Sequence, residues 1–481
     1  MSDPRGLCVV GVAQQTTRTA PAPEPLKSWV GVAEAAAADA GVPGALAMLD
    51  SLQVVYCQSW QYDDAVGRLA ERLGADPGHR VYSGIGGTTP QLLISRTAEA
   101  MQRGELELAL IVGAEALATK RASKRAGEKL SWSHRETERS PFPWEQPHAT
   151  ELNHHVFQAW ETFPLWDTAR RAARGEELDA YARETATMMS ALTDVAASNP
   201  HAWRPTALTA EEVGAAGPSN RYVGWPYTKH EVAVMDVDMA AALLLATTAK
   251  ADALGIPQER RVYLSSSSYA EDPASIAARP DPAVSPGLVH ACAGALRAAG
   301  ITVDDVDVFD LYSCFPSSLH LACDALGIRP DDARGLTITG GLPYAGGPAS
   351  AYLLHAVASL VDRLRVSPGR GLVTGVGMNL QKHLVAVYSS DPGWRATADG
   401  PAPVGLPLVT TFSGTAKVLA YTVAHGSDNQ PVEGLVVLDT NEGRTLARIA
   451  QPELLLDAES RELVGQRVTV STNGTANEAR W

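Results

Sequence analysis

Up to about residue 390 two hydrophobic rhythms alternate along the chain, and beyond it only one continues. Apolar positions at helical spacing give way to short continuous apolar runs flanked by glycine, the signature of helices followed by buried strands. Trp29 to Cys57 predicts an Ala-rich helix, a break at Ala40-Gly41-Val42, and a strand ending Val54-Val55-Tyr56-Cys57. Gly287 to Cys314 predicts the same series about 258 residues later: a helix, Ala299-Gly300-Ile301, and a strand ending Leu311-Tyr312-Ser313-Cys314. The next elements keep nearly that offset. Pro90 opens a helix reaching Arg103-Gly104, then the strand Leu108 to Val112 and Gly113. Pro348 opens a helix reaching Arg365, then the strand Gly371 to Thr374 and Gly375. Helices alternating with strands imply βαβ units and mainly parallel sheets; two such halves imply an internally duplicated α/β fold. The competing account is that any two α/β segments look alike.

Between the halves, Thr119 to Asn220 is long and irregular. It holds Trp132, Trp144, Trp160, Trp166 and Trp203, several prolines, and a helical stretch from Glu176 to Ser198. Inserts of this length carry binding function or serve as a helical cover for the core. Asp391 to Pro407 is rich in Pro, Gly and Ala and reads as a linker. After it the pattern turns to strands: Ala416 to Val423, Gly434 to Asp439, Arg444 to Ile449 and Arg467 to Ser471. Gly426-Ser427-Asp428-Asn429 and Asn441-Glu442-Gly443 supply turns between them, so a small, partly closed β barrel is expected.

Composition narrows the function classes. At roughly 100–200 residues per domain, 481 residues predict two to four units. A hydrophobic content of 45% with 20% charged residues supports a well-buried core. The formal net charge of −14 argues against general nucleic-acid binding, which needs Lys and Arg for phosphates. Cys8, Cys57, Cys292, Cys314 and Cys323 form no Cys-x-x-Cys pair, so disulfides are not expected and a reducing compartment fits. Met1-Ser2-Asp3-Pro4-Arg5 does not open a signal peptide, and no apolar run reaches the ~18 residues of a membrane span. The expectation is a soluble cytoplasmic protein.

Several motifs fail on inspection. There is no Gly-x-Ser-x-Gly elbow and no Gly-Lys dipeptide for a P-loop. Gly84-Ile85-Gly86-Gly87 resembles a dinucleotide loop, but Thr89 stands in place of the third glycine. His154-His155 and His230-Glu231 lack metal-ligand spacing and read as surface or structural histidines.

Four segments, Gly104 to Glu115, Asn220 to Lys229 with Asp236 to Ala242, Tyr312 to Phe315 and Gly340 to Ser350, together resemble the thiolase superfamily, on the side of its sterol carrier protein X-like branch. Gly104-Glu105-Leu106-Glu107-Leu108-Ala109-Leu110-Ile111-Val112-Gly113-Ala114-Glu115 resembles the segment after the thiolase nucleophile helix. Asn220-Arg221-Tyr222-Val223-Gly224-Trp225-Pro226-Tyr227-Thr228-Lys229, with Asp236-Val237-Asp238-Met239-Ala240-Ala241-Ala242, is similar to that branch's mid-chain motif. Tyr312-Ser313-Cys314-Phe315 matches the place of its His-Asp-Cys-Phe. Gly340-Gly341-Leu342-Pro343-Tyr344-Ala345-Gly346-Gly347-Pro348-Ala349-Ser350 has the frame of the thiolase histidine loop. Around Ala420-Tyr421-Thr422-Val423 the chain resembles the extra C-terminal domain of thiolase-like proteins of type 1. The resemblance implies an internally duplicated thiolase fold, layered α-β-α-β-α, with a C-terminal all-β OB-like domain. It places an N-terminal half at 5–260 with its insert at about 119–220, a C-terminal half at 261–390, a linker at 391–407 and the β domain at 408–481.

Thiolase chemistry needs a low-pKa cysteine at a helix N-terminus to take the acyl group, a histidine to activate it, and a second acid/base cysteine. In the family frame these positions fall on Gly87, Gly347 and Val376, and the residue that helps bind the thioester oxygen falls on Tyr312. None of the four can act in the double-cysteine mechanism. The resemblance therefore implies a CoA-thioester-binding protein of the acetyl-CoA acetyltransferase (acyltransferase) family without ordinary thiolase activity, in lipid or sterol metabolism. Its ligand would be CoA or an acyl-CoA, with no covalent cofactor and no metal.

Gly84, Gly86, Gly87, Gly340, Gly341, Gly346 and Gly347 either let main-chain N–H groups approach that ligand or only permit tight turns. Gly87 to Pro90 leads into a helix whose positive end suits an oxyanion. Tyr312 and Tyr344 are candidate acid/base groups, as in thiolase-fold aldolases acting on acyl-CoA side chains, or buried tyrosines with satisfied hydroxyls. Cys314 keeps the family's cysteine but is not the nucleophile there. Lys120, Arg121, Lys124, Arg125 and Lys129, followed by Arg135 and Arg139, could meet the phosphates of CoA or form a solvated loop. Two further readings follow: an acyl-CoA retro-aldolase using Tyr312 or Tyr344, and a non-catalytic scaffold whose β domain recruits a protein partner.

Overall fold

A computed structural model describes residues 3–19, 21–137, 142–143, 145–396 and 400–481 of the chain. Arg139 and Trp144 lie outside the described residues. The first half runs β1 (Leu7–Thr16), α1 (Pro25–Asp39), β2 (Ser51–Val54), α2 (Ala65–Leu73), β3 (His79–Tyr82), α3 (Thr89–Gln102) and β4 (Leu108–Ala116). The insert supplies α4 (Leu117–Ala126), α5 (Ala149–Asn153), α6 (Ala159–Arg174), α7 (Leu178–Ser198) and α8 (Ala210–Gly214), and just after it come the short strands β5 (Tyr222–Trp225) and β6 (Tyr227–Thr228). Then come β7 (Asp238–Thr247), α9 (Thr248–Ala253), β8 (Val262–Glu271), α10 (Pro286–Ala299), β9 (Val308–Asp310), α11 (Pro316–Leu326), α12 (Tyr352–Val366), β10 (Arg370–Gly377), β11 (Lys382–Ser389) and β12 (Arg395–Ala396). The chain ends in β13 (Gly414–His425), β14 (Pro431–Asp439), β15 (Arg444–Ile449), α13 (Pro452–Ser460), β16 (Arg467–Thr472) and β17 (Asn477–Arg480).

The duplication is visible in the strand order. The large sheet reads β3-β2-β4-β7-β1-β8-β11-β10-β9, so β1, β7, β4 and β2 of one half mirror β8, β11, β10 and β9 of the other. The halves meet where β1 pairs antiparallel with β8 through Cys8↔Tyr263 and Val9↔Val262. The expectation of mainly parallel sheets holds for β2 with β3 and β4, and for β9 with β10. It fails at β7, which runs antiparallel to β1 and β4, and at the β10–β11 hairpin. The connections explain this: the chain re-enters the sheet through the insert before β7, and a tight turn at residues 378–381 joins β10 to β11.

Three apolar cores define the layers. One joins α1 and α2 to the outer face of the first half-sheet, with Trp29 at its centre. Another, through Leu319 and Ala291, covers the second half-sheet with α10, α11 and the insert helices α6 and α7. Between them α3 and α12 are buried against both half-sheets through Ile94, Met101, Leu354 and Val361. Small residues permit this close packing. A side chain at Gly11 of β1 would strike the Ala36 carbonyl of α1, and one at Gly294 of α10 would strike Ser268 of β8, the mirrored contact.

The insert is chiefly helical. α6, which the prolines and tryptophans of this region made unreadable, runs through Pro164 and buries Trp166 beneath the Arg279 guanidinium at 3.9 Å. Proline at 164 frees the Trp160 carbonyl from its helical partner. Gly224 of β5 lies so near that carbonyl that any side chain there would collide with it.

The C-terminal strands form a closed ring, β13-β14-β15-β17-β16-β13, with α13 between β15 and β16. β15 to β17 is its parallel pair. β5, just after the insert, extends this sheet through Val423↔Trp225 and Ala424↔Gly224, so the β unit is stitched to the body by main-chain pairing.

Candidate functional site

The structure brings Gly87, Tyr312 and Val376 together. Gly87 ends the loop before α3, Tyr312 follows β9, and Val376 lies near the end of β10. A Cβ at Gly87 would lie 2.5 Å from Cζ of Tyr312 and would also collide with the Tyr312 hydroxyl and the Val376 carbonyl. The volume a side chain would need at position 87 is therefore filled by a phenol and by backbone. The nearby strand crowds the same loop: a Cβ at Gly375 would stand 3.3 Å from Cα of Thr88.

Tyr312 is held by its backbone and its ring. Its N–H donates to Oγ1 of Thr374 at 2.8 Å, and its ring meets Tyr352 edge-on with centroids 5.5 Å apart. The Tyr352 hydroxyl in turn donates to Oδ1 of Asp310 at 2.8 Å. The other oxygen of Asp310 accepts from the hydroxyls of Thr337 and Thr339 and from the N–H groups of Ile338 and Thr339. Asp310 thus fixes the entry to the glycine loop at Gly340. Burial raises its carboxyl above the ordinary aspartate range, against the pull of those donors.

The glycine loop packs on the insert. A side chain at Gly341 would meet Ser313 and Leu192, and one at Gly346 would meet Met239 and Trp203. Protein therefore takes the space beside both. Gly347 faces Ala233 and Val234 and donates its N–H to the Val234 carbonyl at 2.8 Å. The atoms nearest a side chain there belong to Val234, Leu342 and Ala233. Gly86, with φ +141, donates to Oγ of Ser350 at 3.0 Å.

Tyr344 is buried and its hydroxyl has no hydrogen-bond partner among the described residues. Burial, reinforced by Glu231, raises its pKa, and burial raises that of Tyr312. Both phenols stay protonated at neutral pH and can donate but not accept a proton as bases. Cys314 is half-buried, and burial pushes its thiol up to about 12. All five cysteines are free.

The basic run lies on α4. Lys120, Arg121, Lys124 and Arg125 are exposed, Arg121 pairs with Asp236, and Lys120 reaches the Gln58 carbonyl at 3.1 Å. Arg135 instead stacks over Trp60 at 5.2 Å. Among the described residues no hydrogen bond or ion pair links the run to the Gly87 cluster.

Sequence reasoning missed the buried acids that organise these loops. Glu115 at the end of β4 accepts from the N–H groups of Gln58 and Ser59 at 2.7 and 2.8 Å, and burial pushes its carboxyl up to about 7. Asp238 accepts from the N–H and hydroxyl of Thr119 at the start of α4. An acid among apolar strand residues was the available signal in both cases. His154, read as surface or structural, is buried: Nδ1 bonds the Thr150 carbonyl and Nε2 accepts from the Asn477 N–H. Among the described residues, no three His, Cys, Asp or Glu side chains stand close enough to hold a metal, and no helix is long and apolar enough to cross a membrane.

The fold has a full-length counterpart among solved structures. The monomeric SCP2-thiolase-like protein type 1 of Mycobacterium smegmatis is 30% identical over 100% of both chains, with a TM-score of 0.87. The chain belongs to the type 1 SCP2-thiolase-like proteins of the thiolase superfamily. The Ltp2-ChsH2(DUF35) aldolase matches 80% of the chain and 98% of its own at 16% identity and TM-score 0.60, a likeness of fold. Among curated proteins, the peroxisomal 3-ketoacyl-CoA thiolase B of Mus musculus is 31% identical over 128 residues. That match spans 27% of each chain, about a quarter of the curated relative's length. No family model matches the chain.

Proposed function

We propose that this protein binds CoA thioesters in the thiolase groove without forming an acyl-enzyme, as a member of the acetyl-CoA acetyltransferase family that has lost the double-cysteine mechanism. The observation that carries this reading is the filling of the side-chain space at Gly87 by Tyr312 and the Val376 carbonyl. A thiol there would have no room, and neither Gly347 nor Val376 could move a proton to or from it. The loop before α3 still offers an oxyanion site. Among the described residues the N–H groups of Gly87 and Thr88 donate to no protein acceptor, and they precede the positive end of a fourteen-residue helix. Lys120, Lys124 and Arg125 on α4 are proposed to meet the CoA phosphates. The resemblance favours a role in lipid or sterol metabolism and an OB-like reading of the β13–β17 ring, and the free cysteines favour a reducing compartment such as the cytoplasm.

A thermal shift with CoA and acyl-CoAs tests the binding. Ligand at 100 times its dissociation constant should stabilise the native state by about 2.7 kcal/mol. No shift at millimolar ligand would overturn the reading, as would thiolysis of acetoacetyl-CoA that a pocket substitution abolishes.

A second reading, a retro-aldolase acting on acyl-CoA side chains, is favoured by the unpartnered Tyr344 hydroxyl. It would donate to a substrate oxygen that develops negative charge. Unchanged turnover in Tyr312→Phe and Tyr344→Phe would exclude it.

A further inference from the structure

A cavity of about 230 Å³ lies away from the Gly87 cluster, enclosed by α6, α7, the β5–β6 hairpin and α13. Its charged lining is Asp167, Arg171, Asp179, Glu231 and Glu459, and its aromatic walls include Tyr181, Tyr222, Trp225 and Tyr227. The volume falls just below the ~300–1,000 Å³ of ordinary ligand clefts, so the occupant is small.

Two acids at this cavity are almost wholly buried but differently served. Asp167 is saturated. It accepts from the Tyr227 hydroxyl at 2.5 Å and the Tyr181 hydroxyl at 2.7 Å, and Nδ1 of His320 lies 2.8 Å away. Burial opposes its charge, but His320 and these donors together hold its pKa below the ordinary value. Glu231 is half served. Its Oε2 accepts from the N–H and hydroxyl of Thr228, and among the described residues no hydrogen bond reaches Oε1. The one lining cation among the described residues, Arg171, is paired with Glu462 at 2.6 Å. The cavity is thus acidic in net, with an open carboxylate oxygen beside aromatic surface. Trp225 stacks on Tyr421 with centroids 5.5 Å apart and Tyr222 lies 5.1 Å from His425, which fixes both walls.

We propose that this cavity is a second binding site, which takes a primary alkylammonium ion. The ammonium meets the open Glu231 oxygen in a cavity that Asp179 and Glu459, the latter bonded to Nε2 of His425, make acidic, while its carbon chain lies against Trp225 and Tyr222. Cations are also favoured over aromatic faces. An alkanoate of the same size is excluded, because three further carboxyls would face it.

The site carries its own pH signature. Burial pushes the Glu231 carboxyl up to about 8, against the Thr228 donors and with help from the Asp167 charge. Glu231 shares the cavity with Asp167 and Arg171 of α6, Asp179 and Tyr181 of α7, Glu459 of α13, and Tyr222 and Tyr227 of the hairpin; Asp167 and Tyr344 of the glycine loop act on it directly, and His425 of β13, behind Tyr222, pairs with Glu459. An alkylammonium stays charged to about pH 10, as lysine does. Affinity therefore rises about tenfold between pH 7 and 9 as Glu231 loses its proton.

The test uses the full chain and ligand-observed saturation-transfer NMR with n-butylammonium chloride, against sodium butyrate and sodium chloride at equal ionic strength. Selective binding of butylammonium, about tenfold tighter at pH 9 than at pH 7, is expected. Glu231→Gln should weaken it and flatten the profile. Binding of butyrate as tight as that of butylammonium, a flat wild-type profile, or no binding at all overturns the proposal. Should Glu231→Gln fail to fold, the wild-type profile decides alone, with Tyr222→Leu as the second variant expected to weaken binding. N-acetyl-lysine methylamide distinguishes the source of the ammonium: tighter binding than butylammonium assigns a protein lysine, weaker binding a free amine.

Discussion

The hydroxyl of Tyr312 occupies the space that a side chain at Gly87 would need. The two positions are far apart in sequence, yet they are locked as a pair. Glycine at 87 is required because tyrosine stands at 312 and because the Val376 carbonyl closes the other side.

Gly87→Cys should therefore fail to restore a nucleophile. Overpacking costs about 1–3 kcal/mol, and more where the opposing atom is backbone. The variant should lose that much in urea unfolding and form no acyl adduct with acetyl-CoA by intact-mass measurement. Tyr312→Ala in the same chain should recover part of the loss, because the two sites share one volume. Full stability together with an acetylated thiol at position 87 would show that the space is not filled.

Tyr344→Phe separates structure from ligand chemistry. The hydroxyl is buried without a partner among the described residues, so its removal leaves no orphaned group behind. Stability should stay level or rise by about 1 kcal/mol, because the desolvation penalty of an unmet hydroxyl disappears. If the phenol serves a bound thioester, the acyl-CoA thermal shift should shrink in the same variant. A stability loss of several kcal/mol would show that the hydroxyl has a partner in the native state.

Much of the architecture was written in the hydrophobic periods. Residues 178–198 match the helix read from 176–198, and β15 has the bounds read for it, because long helices and isolated apolar strands keep clean spacing. α6 was hidden by Pro164 and by the tryptophans around it, which only tertiary packing makes helical. α13 and β17 are short and lack a full period. At the site, the residue types at 87, 312 and 376 were legible from motif register. Their contact was not, since it depends on how α3, β9 and β10 converge in space. The unpaired edge of Glu231 was illegible for the same reason: burial and partner count belong to the fold.

His355 should set part of the acid sensitivity. It is buried on α12, with Nδ1 3.0 Å from Oε1 of Gln14 and Nε2 unpartnered among the described residues. Burial, with a lesser push from His201, holds its pKa down to about 3. The unfolded chain binds that proton near 6.5, so stability is complete above 6.5 and falls as pH drops toward 3. The integrated loss is about 4 kcal/mol. His355→Gln should flatten the decline in urea midpoint between pH 6.5 and 4. An unchanged slope would place the acid sensitivity elsewhere.

Arg448 of β15 should decide whether the C-terminal strands can part from the body. Its Nε donates to the His154 carbonyl at 2.8 Å and one terminal nitrogen to the His155 carbonyl at 3.2 Å. The other terminal nitrogen pairs with Glu161 at 3.1 Å and with Glu433 at 3.2 Å. Breaking a buried ion pair from one side costs about 3–5 kcal/mol, so Arg448→Met should destabilise the chain by an amount of that order. The loss should appear as faster limited proteolysis of the Pro-rich stretch at 400–407. By the same geometry, truncation after Asp391 strips β5 of its β13 partner, leaving only β6, and uncovers α6, which packs on β13. The truncated protein should therefore aggregate or melt far lower, so deletion cannot by itself reveal a recruiting role for the β unit. Charge-reversal variants on the exposed side of α13, such as Glu453→Lys, leave these contacts in place and test recruitment directly. A truncated chain that melts at the full-length temperature would show instead that the strands are an independent appendage.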